Sequence, residues 1–272
     1  MTELDTGTED LLATVDDGVA VVTMNRPARR NALSEDMLAA MGRVLADVEA
    51  DDDVGCVVLT GSGGAFCAGG DVKAMAERSA AAGVRSIDAA IHRQRLSQRA
   101  TSGRLWQMPK PTIAAIPGPA AGAGLALALA CDLRYAAAGA VLTTAFARVA
   151  FAGDYGGTWF LTRLVGTAKA KELYYFSERL DAVEAERLGI VNAVFAADEL
   201  DVAVLQRARR LASGPRVAYR YMKENLNRAV NGELDECMDL EATHHVHTGF
   251  TRDHVEAAQA FVDKREPRFT GG

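Results

Sequence analysis

Two segments of this sequence share one plan: an apolar run, a turn of glycine and alanine, and then helix-forming residues. The first turn lies in AFCAGGDVK, residues 65–73, after the apolar run at 54–60, and the second lies in GPAAGAGLALALACD, residues 118–132, after the run at 111–117. Such turns let the backbone approach another group closely and can direct N–H groups at an anion. One Gly-Gly pair alone would indicate only an ordinary turn. Its repetition predicts that two helix N-termini converge on one point.

The flanking segments predict an α/β fold. Residues 18–25, GVAVVTMN, are β-branched and apolar and end at Arg26-Pro27, which predicts a strand that enters a loop. Ser34 is placed to cap the following helix, and residues 54–60 have the continuous apolar pattern of a strand buried on both faces. The apolar side chains that this helix places on one face are Met37, Leu38, Met41, Leu45 and Val48. Strand, helix and strand in this order indicate a βαβ unit.

The last quarter of the chain has a different character. Residues 182–195, AVEAERLGIVNAVF, read as a helix, a glycine and a strand, and the remainder is largely helical. No proline- or serine-rich stretch separates this remainder from the rest. We therefore predict a core at residues 1–198 and a C-terminal helical appendage at residues 199–272.

Composition and charge disfavour several classes of function. The 272-residue chain is 49% hydrophobic and 24% charged, which is typical of a folded globular protein. Its net charge of -6 provides no field that would attract nucleic acid or an anionic membrane. The most apolar run, residues 120–130, is too short to cross a bilayer, and the acidic opening MTELDTGTED is unlike a secretory signal. We expect a cytoplasmic protein with no nucleic-acid partner and no membrane segment.

Standard nucleotide-binding and nucleophile motifs do not occur. The segment GSGGAF is not GxGxxG, and the chain has no GxxxxGK and no GxSxG. No carboxylate with a known metal-binding spacing accompanies His244, His245 and His247, so we interpret them as a solvated helix face rather than a metal site. The chain is therefore not predicted to bind a metal.

The cysteines are scattered and contain no CxxC pair. They are Cys56, Cys67, Cys131 and Cys237. This pattern favours reduced thiols in a cytoplasmic protein. Cys67 could be a nucleophile, but no histidine lies near it in the sequence, so a structural role is favoured.

Asp154 is the candidate acid or base. It lies in AFARVAFAGDYGGTWFLTRLVG, residues 145–166, a stretch with almost no other acids. Apolar neighbours would raise the pKa of its carboxyl group. From the residues alone, the favoured interpretation is that Asp154 caps the helix that starts near Gly156 and Gly157.

Taken together, the segments resemble one family. The residues AFCAGGDVK, GPAAGAGLALALACD, GDYGGTWFLTRLVG and AERLGIVNAVF, with the opening VTMNRPARRNALS and the ending AFVDKREPRFTGG, are similar in order and spacing to the enoyl-CoA hydratase/isomerase, or crotonase, superfamily. The resemblance implies an α/β fold, a crotonase-like spiral of ββα units with a C-terminal helical trimerisation region. It also implies a homotrimer, often paired into a hexamer.

The resemblance also implies site residues. The N–H groups of Gly70 and Ala123 would form an oxyanion hole for the thioester oxygen of an acyl-CoA substrate. Coenzyme A would belong to the substrate, so no separate cofactor is expected. The residues that correspond to the family's coenzyme A contacts are Arg29, Ala32, Gly70, Asp71, Val72 and Lys73, with Phe261 and Lys264 supplied by a neighbouring subunit.

The departures from the family point away from hydration. In hydratases two glutamates occupy positions that hold Ala126 and Phe146 here when the sequences are matched without gaps. Hydration needs groups that activate water and donate a proton at Cα, whereas a 1,3-proton shift needs only one base. Asp154 fits that base, as in the branch that isomerises epoxyphenylacetyl-CoA and shifts double bonds in enoyl-CoA. Phe146 would then line the acyl pocket.

Three hypotheses remain open from the sequence. The favoured one is an acyl-CoA isomerase that uses Asp154. The second is a hydratase in which the ungapped match misplaces a glutamate, with Glu172 as the nearest later candidate. The third is a CoA-ester binding protein with little catalysis. Dehalogenation is disfavoured because the histidine of that branch is replaced by Arg99.

Overall fold

The computed structural model describes residues 1–72 and 86–272 as a mixed α/β structure. Its strands are β1 Thr2–Glu3, β2 Leu11–Asp16, β3 Val19–Met24, β4 Cys56–Gly61, β5 Thr112–Ile116, β6 Ala120–Ala121, β7 Leu133–Ala137, β8 Val141–Thr143, β9 Leu180–Asp181 and β10 Ala193–Phe195. Its α-helices are α1 Glu35–Ala50, α2 Ile87–Gln98, α3 Arg104–Gln107, α4 Ala123–Leu129, α5 Gly157–Phe176, α6 Ala182–Arg187, α7 Leu200–Ala212, α8 Arg216–Ala229, α9 Leu234–Gly249 and α10 Arg252–Asp263.

The strands form a larger and a smaller sheet. In the described part of the chain the larger sheet has the order β1-β2-β3-β4-β5-β7-β10 and the smaller one has the order β6-β8-β9. Strands β1 to β3 pair antiparallel, and β3, β4, β5, β7 and β10 run parallel. The predicted βαβ unit of β3, α1 and β4 is confirmed. Parallel strands place their carboxyl ends at one edge, where the two glycine turns follow β4 and β5.

Strand β4 is buried on both faces, as its continuous apolar sequence predicts. Val57 and Leu59 face the core that α1 covers, whereas Cys56 and Val58 face a second core. Helix α7 covers this second face with Leu200, Val204, Ala208 and Ala212. The larger sheet is therefore a layer between helices, which is the usual arrangement for parallel strands.

Helix α1 begins where the sequence predicts. The Ser34 hydroxyl accepts a hydrogen bond from the Met37 N–H over 3.0 Å, which satisfies one of the helix's free donors. Met37, Met41 and Leu45 are fully buried beneath the helix. The cap and the apolar face therefore fix both the start and the orientation of α1.

A buried lysine ties the C-terminal helices to the sheet. The Lys223 ammonium, on α8, lies 2.9 Å from the Asp132 carboxylate and donates to the carbonyl oxygens of Leu105, over 3.0 Å, and Lys110, over 3.1 Å. Asp132 in turn accepts hydrogen bonds from the backbone and hydroxyl of Thr112, on β5. This network fixes α8 against the end of the parallel sheet. The boundary at residue 198 stays a prediction.

The interpretation of the histidines as a solvated face is wrong for one of them. His244 is buried, and its ring stacks on Tyr221 with centroids 4.2 Å apart while Nδ1 lies 2.5 Å from the Asn225 side-chain oxygen. The cause is the packing of α9 on α8, which covers one side of a helix whose own sequence has no strong apolar stripe. His245 and His247 are exposed, as expected.

Two further observations concern the whole described chain. All four cysteines are free thiols. None of the helices in residues 1–72 and 86–272 combines the length and the apolar character that a membrane span requires.

Candidate active site

The two glycine turns lie side by side, as their repeated plan predicts. Cys67 pairs with Ala120 in a parallel bridge, and the Ala121 N–H donates to the Cys67 carbonyl oxygen over 2.9 Å. Gly69 has φ +87°, and a Cβ atom there would lie 2.7 Å from the Ala121 oxygen and 3.4 Å from the Ala123 nitrogen. A side chain at Gly69 would therefore force the turns apart. The predicted proximity is confirmed for the two turns, whereas the helix predicted after the first turn lies almost entirely outside the described residues.

The N–H groups of Gly70 and Ala123 are the two candidate donors. Ala123 is the first residue of α4, so its N–H lies outside the helical hydrogen-bond ladder. Leu33 pairs with Gly70 in a parallel bridge in which the Leu33 N–H donates to Gly69 over 2.8 Å. In a bridge of this type the residues on either side of Gly70 make the bonds, which keeps the Gly70 N–H out of the bridge.

The Cys67 thiol packs between the first glycine turn and the start of α4. Its thiol donates to the Asn31 carbonyl oxygen over 3.0 Å and accepts from the Gly69 N–H over 3.4 Å. A Cβ atom at Gly124 would lie 2.7 Å from the Cys67 sulfur, so this thiol packs directly against the first turn of α4. Burial raises the pKa of Cys67 to about 12. A thiol that holds its proton and packs in this way is structural, as the sequence favours.

The RPARRNAL segment is tied to the first turn. The fully buried Asn31 donates from Nδ2 to the carbonyl oxygen of Ala65 over 2.8 Å. Arg26 donates to the Ala32 carbonyl oxygen over 2.6 Å and lies 3.3 Å from the Asp71 carboxylate. These contacts hold the predicted coenzyme A segment against the first glycine turn, residues 65–71.

Asp154 does not cap a helix. Helix α5 begins at Gly157 with Gly156 as its N-cap, and no side chain supplies the cap hydrogen bond. Asp154 contributes only its backbone oxygen, which accepts from the Gly157 N–H over 3.0 Å. The capping interpretation is therefore wrong, because the left-handed Gly156 ends the loop in its place.

The carboxyl group of Asp154 is desolvated and unpaired. Within the described residues its Oδ1 atom is buried and has no hydrogen-bond partner. Loss of water raises the pKa of Asp154 to about 6. A buried polar atom without a partner is rare in folded proteins and is concentrated at functional sites. Asp154 is consequently a carboxyl group suited to exchanging a proton near neutral pH.

Phe146 and Ala126 occupy the positions where the ungapped match places the glutamates of hydratases. A Cβ atom at Gly122, directly before Ala123, would lie 3.8 Å from the Phe146 ring. The Ala126 methyl group would lie 3.1 Å from a Cβ atom at Gly157. Phe146 therefore lies beside the start of α4 and Ala126 lies beside the start of α5, and neither brings a carboxylate.

Tyr174 contacts both Phe146 and the segment that carries Asp154. This residue was not identified from the sequence. Its ring stacks on Phe146 with centroids 5.8 Å apart and planes 6° from parallel. Its hydroxyl oxygen would lie 2.7 Å from a Cβ atom at Gly157. The contact pairs residues 28 positions apart, so no local pattern could have indicated it.

Other predicted residues lie on the surface. Arg29 and Val72 are exposed, Lys264 follows α10 with φ +55°, and Phe261 is 85% exposed. Lys73 lies outside the described residues. The roles of these residues in binding coenzyme A stay predictions, since those of Phe261 and Lys264 depend on a neighbouring subunit.

Two alternative candidates are exposed side chains. The Glu172 carboxylate lies on the exposed side of α5, 2.7 Å from the Lys169 ammonium. Arg99, which occupies the position of the dehalogenase histidine, is exposed. Neither side chain is enclosed as Asp154 is.

Comparisons with known proteins show which family the chain resembles. The sequence profile described as Enoyl-CoA hydratase/isomerase matches residues 14–272. The 1,2-epoxyphenylacetyl-CoA isomerase of Escherichia coli is 36% identical, over 97% of this chain and 99% of its own length. The probable enoyl-CoA hydratase of Rhodobacter capsulatus is 34% identical, over 94% of this chain and 96% of its own length.

A solved structure shows the same fold. The crystal structure of a putative enoyl-CoA hydratase from Streptomyces coelicolor superposes with a TM-score of 0.91 at 32% identity and covers 97% of this chain and 94% of that one. The sheet and helices thus define a crotonase-type α/β protein. The chain belongs to the enoyl-CoA hydratase/isomerase family.

Proposed function

We propose that this protein is an enoyl-CoA isomerase that moves a double bond along the acyl chain with one aspartate. The observation that carries the proposal is the Asp154 carboxyl group, which is desolvated and unpaired among the described residues. The similarity to an epoxyphenylacetyl-CoA isomerase supports the same choice. The absence of carboxylates at Ala126 and Phe146 argues against hydration.

The reaction needs hydrogen-bond donors for the thioester oxygen and a base for the carbon-bound proton. The N–H groups of Gly70 and Ala123 would hold the thioester oxygen and stabilise the negative charge that develops there when a carbon-bound proton leaves. Asp154, ionised above pH 6, would take the proton from one carbon and return it two carbons away. No atom is gained or lost, because the same carboxylate accepts and returns the proton.

Coenzyme A would bind where the RPARRNAL segment meets the first glycine turn. Arg29, Ala32, Asp71, Val72 and Lys73 would contact the nucleotide and pantetheine part of the substrate. Phe261 and Lys264 would reach a neighbouring subunit's substrate in a homotrimer or in a hexamer. The rigid contacts of Arg26 with this segment support a preformed site.

The test compares Asp154→Asn with a surface acid on the same polypeptide segment. Wild-type protein, Asp154→Asn and Glu172→Gln are given a Δ3-enoyl-CoA, and formation of the conjugated product is followed. Removal of the base lowers the rate by a factor of about 10² to 10⁴. Glu172→Gln keeps the wild-type rate, because its carboxylate is exposed and paired with Lys169.

The same proteins also separate the alternatives. Equal isomerisation rates for wild type and Asp154→Asn would show that Asp154 is not the base. Hydration of crotonyl-CoA at an ordinary enzymatic rate would establish a hydratase instead. Tight binding of CoA esters without turnover of either substrate would establish a binding protein.

A further inference from the structure

Tyr174 connects the two halves of the candidate site. Its ring covers Phe146, which lies against Gly122 at the start of α4, and its hydroxyl end lies at Gly157, next to the Asp154 loop. The Cε1 atom would lie 3.2 Å from a Cβ atom at Gly153 on the other side of Asp154. The side chain therefore lies between Phe146, which contacts the start of α4, and the segment 153–157 that carries Asp154.

The position of Tyr174 is fixed by the fold. The Thr144 hydroxyl, directly after β8, donates to the carbonyl oxygen of Leu173 over 2.7 Å. The same hydroxyl lies 3.3 Å from the Ser177 hydroxyl, which is fully buried. These bonds attach the second half of α5 to the strand that leads to Phe146, so the stacked pair is held from both ends.

The hydroxyl group of Tyr174 makes no hydrogen bond in residues 1–72 and 86–272. It lies beside the segment that carries Asp154, because a Cβ atom would come within 2.7 Å of it at Gly157 and within 3.8 Å at Gly153. Burial and the negative charge of Asp154 both raise the pKa of Tyr174 above its ordinary value. The phenol therefore keeps its proton and is available as a donor.

Two polar groups without a hydrogen-bond partner among the described residues thus lie at the same short segment, residues 153–157. One is the Asp154 Oδ1 atom, an acceptor, and the other is the Tyr174 hydroxyl, a donor. Polar groups in such surroundings are normally satisfied, and a bound ligand is one way to satisfy them. A hydrocarbon chain would leave the Tyr174 donor without an acceptor, whereas an acyl group that carries an oxygen atom would not.

We propose that Tyr174 is a specificity-determining residue whose hydroxyl donates a hydrogen bond to an oxygen atom on the acyl group. The preferred ligands are then CoA thioesters that carry a hydroxyl, keto or epoxide oxygen close to the carbons that Asp154 addresses. This inference rests on the proposed function in one respect, since it places the acyl group between Ala123 and Asp154. It concerns ligand recognition and needs no turnover.

The test measures binding rather than catalysis. Dissociation constants of hexanoyl-CoA and of its 3-, 4- and 5-hydroxy analogues are measured by calorimetry for wild type, Tyr174→Phe and Tyr175→Phe. Tyr174→Phe keeps the stacked ring and removes only the donor. Tyr175, the next residue, is 71% exposed and provides a matched control.

Wild type binds at least one hydroxy analogue more tightly than hexanoyl-CoA. In Tyr174→Phe this preference, expressed as the ratio of the two dissociation constants, falls about three- to tenfold. Tyr175→Phe keeps the wild-type ratio. A ratio unchanged by Tyr174→Phe for every analogue, or binding of all four esters weakened equally, would refute the hydrogen bond to the ligand.

The outcome is independent of the isomerase test. If the preference depends on Tyr174 but no Δ3-enoyl-CoA is isomerised, the recognition stands and the proposed reaction fails. If isomerisation depends on Asp154 but no hydroxy analogue is preferred, the reaction stands and the role of Tyr174 fails. If the protein binds none of the esters, both are overturned.

Discussion

At the scale of single residues, Asp154 gives the reaction its pH dependence. Its pKa is raised to about 6, and only the ionised form can accept a proton. We expect kcat/KM for a Δ3-enoyl-CoA to fall tenfold for each unit of pH well below 6 and to level off above it. Steady-state rates between pH 4.5 and about 8.5 measure this pH dependence of kcat/KM. A midpoint near 4, the ordinary pKa of aspartate, would contradict a desolvated base.

The same carboxyl group lowers the stability of the folded protein above pH 6. The folded pKa is raised from 3.8 to about 6, so the folded state retains a proton that the unfolded chain releases, and stability falls as pH rises across this window. Asp154→Asn should therefore raise the free energy of unfolding by about 1–2 kcal/mol at pH 8, after allowance for solvent screening, and by little at pH 4. Urea titrations at both pH values provide the measurement. An equal effect at the two values would exclude ionisation as the cause.

Single residues also show which local structures can be predicted from the sequence alone. Ser34, Gly69 and Ala123 follow local rules for caps and turns, and each lies where those rules place it. Tyr174 and His244 are different, because their surroundings come from elements that are distant in the chain or that cover a weakly patterned helix. Long-range packing of this kind leaves no periodic signal.

At the scale of elements, the contact between α4 and the first turn leaves no space for a side chain at Gly124. A Cβ atom there would overlap the backbone and thiol of Cys67. We expect Gly124→Ala to cost about 1–3 kcal/mol in the free energy of unfolding, because the start of α4 must move. Activity should fall about 100-fold, since the change displaces the Ala123 N–H, which we propose as an oxyanion donor.

A second glycine provides the control for this prediction. Gly139 is exposed, and a Cβ atom there would meet nothing within 4 Å. Gly139→Ala should leave the urea midpoint and the activity near wild type. If the two variants behave alike, close packing at Gly124 is not what positions α4.

Local sequence patterns predict some of the secondary-structure elements and miss features of others. Strands β3 and β4 and helix α1 were predicted within a residue or two, because β-branched runs and a serine cap mark them. The kink that interrupts α5 at Gly166, with φ +76°, was not predicted. A lone glycine inside a helical pattern does not by itself say whether the helix bends.

At the scale of the whole molecule, the buried pair of Lys223 and Asp132 joins the C-terminal helices to the parallel sheet. We expect Lys223→Met to lower the free energy of unfolding by about 2–4 kcal/mol, because it leaves the Asp132 carboxylate without its counter-ion. Lys169→Met removes an exposed pair with Glu172 and should cost at most about 0.5 kcal/mol. Chemical denaturation of both variants measures the difference; losses of equal size would mean that the buried pair does not hold the regions together.

The fold of the chain can be predicted from its sequence more fully than its oligomeric state. The repeated strand-turn-helix segments predict the βαβ unit, and the resemblance to the family implies the crotonase-type fold. The homotrimer or hexamer, which the resemblance also implies, stays a prediction.

The thiols described above also make the molecule convenient for spectroscopy. Burial raises the pKa of Cys56, Cys67 and Cys131 to about 12, so these sulfurs present almost no thiolate to an alkylating dye. Cys237, on α9, is only partly buried. A maleimide fluorophore added to native protein should attach at this one position, and its emission would report on the C-terminal helices without a chemical change at Cys67 beside the glycine turns.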